Sequence, residues 1–365
     1  MDTGHTLTII RNNKGFALVY VAFAIVALVG VLGLAIDLGH MYVVRGELQN
    51  AADASALAGA ASLYKDPLSP GTAPALNFTR AETAATKFIK ENKSDGVSLT
   101  NGTIATGYWN LTNNSLGSPA NPTPQDVPAV TALISRSAGN NAGPVPTFFA
   151  RVFGENEAPV SSRLAVAVSG FPGSADPNLV FPLAISKCFT DYVLSRPKAQ
   201  WPNPIFTNSP YGPAGANCET GQWTSLKLDR NDPPTLFDLM KNGNPDTLAT
   251  GESIWIEPGV EGTVFQTNKW PSFPAGGIDV LLTIVDDTNI NLSTKGERTI
   301  TGFATFHISG TCGPGTGGGD CPPSSSIVCS SKCVYGYFVE THESYPGTRP
   351  GGSISNIVTP PLMVQ

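Results

Sequence analysis

Four cysteines crowd the carboxyl-terminal part of the chain, Cys312, Cys321, Cys329 and Cys333, separated by eight, seven and three residues. Thiolates this close could hold zinc, but zinc ribbons pair their ligands as CxxC, and these spacings do not. The other two cysteines, Cys188 and Cys218, bring the total to six. An even number in a segment expected to be exported reads as disulfides rather than a metal site. Four cysteines allow three pairings; the arrangement expected is Cys188 with Cys218 and nested pairs in the tail.

Acid–base chemistry has little to work with. The chain has four histidines, His5, His40, His307 and His342, and no pair has HExxH spacing. No GxSxG, Walker A or GxGxxG stands between a strand and a helix. His307, inside "FATFHIS", reads as a strand residue. Asp286 and Asp287 in "VDDTN" offer two carboxylates for calcium or for an acid/base pair, and read more simply as a polar turn after a strand. Trp201, Trp270 and Phe273 could make a sugar-binding or partner surface; beside prolines they read as core plugs or loop anchors. No catalytic, cofactor-binding or metal-binding residue is therefore expected, and no small-molecule substrate.

The elements that would carry these residues begin with an uncharged run at residues 15–36, "GFALVYVAFAIVALVGVLGLAI". About 20 apolar residues in a helix cross a hydrocarbon core of roughly 30 Å. The run exceeds the core of a cleavable signal, which is about 7 to 15 residues. It predicts a single membrane anchor over residues 15–38 after a short leader, 1–14. Arg11 and Lys14 precede the run and Arg45 is the first counted cation after it, which favours a cytoplasmic amino terminus. No proline interrupts the chain before Pro67, so one helix over 16–63 is allowed. In its outer half Val44, Leu48, Ala51, Ser55 and Ala58 recur at helical steps, a face able to lie close to a sheet or another helix. Asp37 is the one charge at the end of the span, read as part of a polar stripe or as registering the anchor against a partner anchor. Gly30, Gly33 and Ala35 permit close helix approach there.

A second helix is predicted over 79–92. Asn101-Gly102 within "VSLTNGTIATGYW" predicts a type I′ hairpin. Strands follow at 129–137 and in "SSRLAVAVSG", with a short helix in "VPTFFARVFG" between them. From residue 171 short apolar runs separated by Gly, Pro, Asn and Asp predict a β-rich, sandwich-like or barrel-like domain. With 38 glycines, 31 prolines and only 14% charged residues, the exported part is strand and loop rather than helix bundle. The net charge of -6 gives no reason to expect nucleic acid as a partner. The class is α+β, with an α+β domain at 39–170 that includes the outer half of the anchor helix, and a disulfide-bearing β-rich domain at 171–365.

The long helix also carries a spaced signature: Gly33, Asp37, Gly39, Tyr42, Arg45, Leu48, Gln49, Ala52, Asp53 and Leu57. It resembles the amino-terminal segment of the TadE/TadG-like proteins of Tad (Flp) pilus assembly. "AVTALISRSAGNNAGPVPTFFARVFG" and "VSSRLAVAVSG" resemble the continuation in TadG-like members, extending the resemblance to about residue 170. The resemblance implies a single-pass protein of the bacterial inner membrane, with its bulk in the periplasm or further out. It implies other Tad pilus-assembly proteins, TadE-like or pilin-like, as partners, and kinship with pilins. Lys14-Gly15-Phe16 resembles a prepilin cleavage junction, with the cut between Gly15 and Phe16. The pilin pattern requires glutamate where Tyr20 stands, which argues against processing and against entry into a filament. The DxSxS metal motif of some TadG-like members is lacking: Asp53-Ala54-Ser55-Ala56-Leu57 has no second serine. The function expected is non-enzymatic pilus assembly; its rivals are a surface adhesin on the same anchor and a membrane-tethered hydrolase.

Overall fold

The computed structural model describes residues 14–64, 75–123, 125–207, 218–227, 233–256, 258, 275–288, 291–313, 321–322, 332–339, 345–353 and 355–364. His5, Arg11, Trp270, Phe273, Cys329 and His342 lie outside the described residues. By their contacts the residues divide into two units: Met1–Ala52, Phe88–Thr103 and Leu133–Leu164 in the first; Asp53–Lys87, Ile104–Ala132 and Ala165–Gln365 in the second.

Helix α1, Lys14–Ala61, runs unbroken through the apolar run and the alanine-rich stretch, as a sequence without proline and rich in Ala and Leu allows. Gly15 and Phe16 fall in its first turn. In the first unit Val44, Leu48, Ala51 and Ala52 of α1 are buried. The remainder of that unit is short antiparallel pairs: Lys93–Ser94 with Val97–Ser98, Ser135–Arg136 with Val160–Ser161, and Val145–Pro146 with Glu157–Ala158. The hairpin expected at Asn101-Gly102 forms instead at Asp95-Gly96, whose φ angles of 52° and 72° are those a type I′ turn requires. Asn141 explains the displacement. Its buried side chain accepts from the amides of Thr100 and Asn101 at 2.8 and 3.2 Å and donates to the carbonyl of Asn101 at 3.0 Å. That fastens the Asn-Gly backbone to a loop and takes it out of any turn.

In the second unit α2, Phe78–Lys90, begins on Asn77, whose Oδ1 accepts from the Arg80 amide at 2.9 Å, an N-cap. Arg80 Nε in turn donates to the Ser62 carbonyl at 2.8 Å, satisfying a backbone acceptor just past the end of α1. Gly59 allows close approach: a Cβ there would lie 2.7 Å from a Val130 methyl and 3.1 Å from Ala85. A five-stranded sheet has the spatial order Leu362–Met363, Ala165–Val168, Asp126–Leu133, Thr103–Asn110, Ser115–Gly117. Its core is Trp109, Val127, Ala129, Val166 and Val168. The strand at 362–363 pairs antiparallel to 167–168, so the chain's last described strand completes a sheet begun long before it.

The rest of the second unit is β-rich and closes on itself. Val180–Ser186, Gly221–Leu226, Ser253–Ile256, Gly296–Cys312 and Ile278–Val285 pair in that order, and Ile278–Val285 pairs back, parallel, to Val180–Ser186. Closure depends on the 17-residue strand Gly296–Cys312, which changes partner along its length. Residues 296–299 face Ser253–Ile256, residues 300–308 face Ile278–Val285, and residues 306–312 face Cys333–Phe338. One hydrophobic cluster draws on all five ring strands, among them Val180, Leu226, Ile254, Leu281 and Phe303. The alternate residues Leu183, Ile185, Leu282 and Ile284 join a second cluster with Phe189 and Val193 of α3, Lys187–Leu194, and Leu236 of α4, Pro233–Asn242. Strands buried on both faces read as continuous apolar runs, as "IDVLLTIV" does. Disulfides join Cys188 to Cys218 and Cys312 to Cys321, and Cys333 is also disulfide-bonded. The Cys312–Cys321 link is local and replaces the nested tail pairing expected from the sequence.

Candidate functional site

The family-signature residues of α1 sort by the face on which they fall. Burial recurs at Gly33, Asp37, Val44, Leu48 and Ala51, the steps of one helix face. Against the start of that stripe folds a hairpin with arms Val145–Pro146 and Glu157–Ala158. Its tip is tightly bonded. The Thr147 amide donates to the Asn156 carbonyl at 3.0 Å, and Arg151 Nε donates to the Thr147 carbonyl at 2.9 Å. Gly154, at φ 92°, closes the single turn Ala150–Phe153 by donating to the Arg151 carbonyl at 3.0 Å; the left-handed backbone there suits glycine.

Asp37 fastens this turn to the helix. Its Oδ1 accepts from the Phe148 amide at 2.7 Å, and its Oδ2 from the amides of Phe149 and Ala150 at 3.0 and 2.6 Å. Amides at the start of a helical turn have no carbonyl partner within it, and a carboxylate is the strongest acceptor a side chain can offer them. One helical turn earlier, Gly33 receives the Phe149 ring: a Cβ at position 33 would lie 2.7 Å from Phe149 Cγ. One turn later the His40 ring lies 5.3 Å from that of Phe148, and its Nε2 is 2.9 Å from Asp95 Oδ1. Glu47 Oε2 accepts from the Asp95 amide at 2.6 Å, and Gln49 Oε1 from the Arg163 amide at 2.7 Å. The polar residues of α1 thus seat loops of its own chain. The partners of Asp37 stand more than a hundred positions away, beyond the reach of periodicity; the only sequence signal was a lone carboxylate at the end of an apolar run.

Other signature residues face outward. Tyr42 is 72% exposed, and with Arg45, Leu38, Met41, Pro159, Val160 and Ser161 it lines a shallow depression of about 240 Å³. A Cβ on Gly39 or Gly46 would meet nothing within 4 Å. The turn beside Asp37 carries an exposed apolar tip: Phe148 55%, Phe149 40%, Val152 80% and Phe153 71%.

The remaining candidates are taken up by structure. His307 Nδ1 lies 2.6 Å from Asp279 Oδ1, and its ring stacks on Tyr337 at 4.6 Å, three residues abreast on adjacent strands. Among the described residues no hydroxyl or thiol hydrogen-bonds its Nε2. Asp286 folds onto the Thr288 amide at 3.0 Å, which with the Thr288 hydroxyl holds its carboxyl below the usual carboxylate range. Asp287 accepts from Ser186 Oγ at 2.7 Å, at the N-cap of α3. Trp201 donates to the Arg196 carbonyl at 2.9 Å and packs edge-on against Phe338. A cavity of about 470 Å³ in the second unit is lined by Tyr64, Tyr108, Asp126, Phe171 and Ser353 among others. Thr123 hydrogen bonds hold the Asp126 carboxyl below its ordinary range, and burial pushes the Tyr64 phenol up. Among the described residues no three His, Cys, Asp or Glu side chains gather as a metal site.

α1 is long and apolar enough to cross a membrane, and its most apolar window is 6% buried. Residues 15–62 match the family model described as Flp pilus-assembly TadE/G-like, and residues 49–167 match the one described as Tad-like Flp pilus-assembly. No curated protein and no solved structure matches the chain. The two matched stretches overlap within α1 and together hold the buried stripe, Asp37 and the turn it caps, so through residues 15–167 the chain is similar to the TadE/TadG-like Flp pilus-assembly proteins.

Proposed function

We propose that the protein is a non-enzymatic, TadG-like component of Tad pilus assembly, anchored in the bacterial inner membrane and acting by contact. In this reading residues 1–14 are cytoplasmic and 15–38 span the bilayer. Residues 39–170 form a pilin-like α+β domain, and residues 171–365 an exported β-rich domain. The observation that carries the reading is the division of α1: exposed along its apolar window, and seated on its own chain from Gly33 onward. A helix apolar all round belongs in lipid, and one with a buried stripe belongs against protein. The disulfides fit an oxidising compartment outside the cytoplasm. The side chains with catalytic potential are held in structural pairs, His307 with Asp279 and Asp287 with Ser186. Partners are other pilus-assembly proteins, TadE-like or pilin-like, met through the outward face of α1 and the β surface.

One observation favours a second reading. The family match ends at residue 167, and the closed β ring with both mapped disulfides lies beyond it; a surface adhesin on a TadG-like anchor would look the same. Deleting the gene separates the two. An assembly component leaves cells without Flp pili or with few of them, counted by electron microscopy, and restored by the full-length chain. Pili normal in number with lost surface attachment would favour the adhesin, and normal pili with normal attachment would overturn both.

A further inference from the structure

We infer that the turn at residues 147–154 is a membrane-insertion element: its apolar tip lies at the acyl boundary of the leaflet from which α1 emerges and sets the depth of the helix. This rests on the reading of α1 as a membrane anchor and goes beyond it by giving the bilayer a second contact. Depth is the first argument. Phe149 packs on Gly33, three residues inside the end of the uncharged run. At 1.5 Å per residue that is about 5 Å within the apolar span.

Exposure is the second. Phe148, Phe149, Val152 and Phe153 are each at least 40% exposed, and on α1 so are Leu34, Ile36 and Leu38, at 44%, 52% and 58%. Helix and turn together present continuous hydrocarbon, which water-facing surfaces rarely carry in such density. The third argument is what the turn does with its polar groups. Backbone at membrane depth must be hydrogen-bonded within the protein. The amides of residues 148, 149 and 150 are held by Asp37, that of Thr147 by the Asn156 carbonyl, and those of Val152 and Gly154 by the carbonyls of Phe149 and Arg151. The Asp37 carboxylate is used up in the same step, so no unpartnered anion enters the lipid. Arg151, within the turn, places a cation at headgroup level, the arrangement of interfacial anchors. A turn built to lie in water would need neither four exposed apolar side chains nor internal partners for six of its eight amides.

The test uses the full-length chain in vesicles of phosphatidylethanolamine and phosphatidylglycerol. An environment-sensitive fluorophore is attached through Val26→Cys, Leu38→Cys or Val152→Cys, with the parent protein labelled in parallel as a control. Nitroxide quenchers are carried near the carbonyl end or near the methyl end of the acyl chain. The Val152 probe should be quenched several-fold more by the shallow nitroxide than by the deep one, and the Val26 probe more by the deep one. Quenching at 26 with none at 152 overturns the insertion and leaves the anchor standing; quenching at neither overturns both. A Val152 probe shielded from water yet untouched by lipid nitroxides would mean that protein, a second copy or another chain, covers the tip, and this too overturns the proposal. Because Val152 and Phe153 are exposed, Val152→Asp with Phe153→Asp should leave the fold intact. In that background shallow-nitroxide quenching at Leu38 should fall by about half; an unchanged signal would overturn the depth-setting role.

Discussion

The two stretches of α1 on either side of Gly33, one uncharged and one carrying Asp37, Arg45, Glu47 and Asp53, bury their residues in opposite ways. Before it, Leu18, Tyr20, Phe23, Ile25, Leu28 and Leu32 are each more than half exposed, and they point in every direction around the helix. After it, Gly33, Asp37, Val44 and Leu48 are buried along one line while Tyr42 and Val43 stay bare. The apolar residue types alone do not show which positions are buried: leucine and valine occur in both stretches. What separates them is the periodicity of burial, which is absent where the surroundings are uniform and present where a protein neighbour occupies one side. A helix exposed all round suits lipid as its uniform surrounding. The loops of the first unit are the neighbour.

The comparison breaks most readily at leucine. Leu48 is fully buried and Leu28 is 61% exposed. Leu48→Ala should cost about 2–5 kcal/mol, the range for emptying a core site. Leu28→Ala should stay within about 0.5 kcal/mol, as for a residue without protein contacts. Urea unfolding of the full-length chain in detergent measures both. Equal losses would mean that the membrane half also packs on protein.

Glycine sharpens the same contrast by changing its sign. A Cβ at position 33 would strike Phe149, whereas at position 39 it meets open space. Gly33→Ala should therefore destabilise the first unit by about 1–3 kcal/mol, the cost of overpacking. Gly39→Ala should stabilise by up to about 1 kcal/mol, because glycine is a poor helix residue. Amide exchange over residues 147–154 reports the first, and the unfolding midpoint the second. Gly39 is among the residues on which the resemblance rests, yet a Cβ added there would meet nothing within 4 Å. A Gly39→Ala variant that is more stable yet assembles fewer pili would mark that face as the one a partner approaches.

These residues also show where sequence reading holds and where it stops. The run of α1 was legible because proline is absent and apolar length is a local property; the stripe at Val44, Leu48, Ala51 and Ser55 was legible because its period is local too. The hairpin expected at Asn101-Gly102 did not form: Asn141, distant in sequence, fastens that pair, and the turn falls at Asp95-Gly96. The short helix in "TFFARVFG" was visible in the sequence. Its bare phenylalanines were not, since exposure depends on where Asp37 holds the turn. The choice between sandwich and barrel stayed open for the same reason: the 17-residue strand pairs with three partners, and such a change of partner has no signature within the strand.

The smallest expected effect tests whether the stripe's polar members matter apart from its apolar ones. Gln49 Oε1 accepts from the Arg163 amide at 2.7 Å in an exposed setting. A neutral hydrogen bond contributes about 0.5–1.5 kcal/mol, and water can replace this one, so Gln49→Ala should fall near the lower figure. Gln49→Glu keeps an acceptor of the same length and should lose less than Gln49→Ala. Hydrogen exchange at the Arg163 amide reads the bond directly: faster in Gln49→Ala, close to the parent in Gln49→Glu. Were the two substitutions equivalent, neither the side chain's reach along the helix nor its oxygen would matter. The docking of residues 160–163 would then rest on Val160, which is buried.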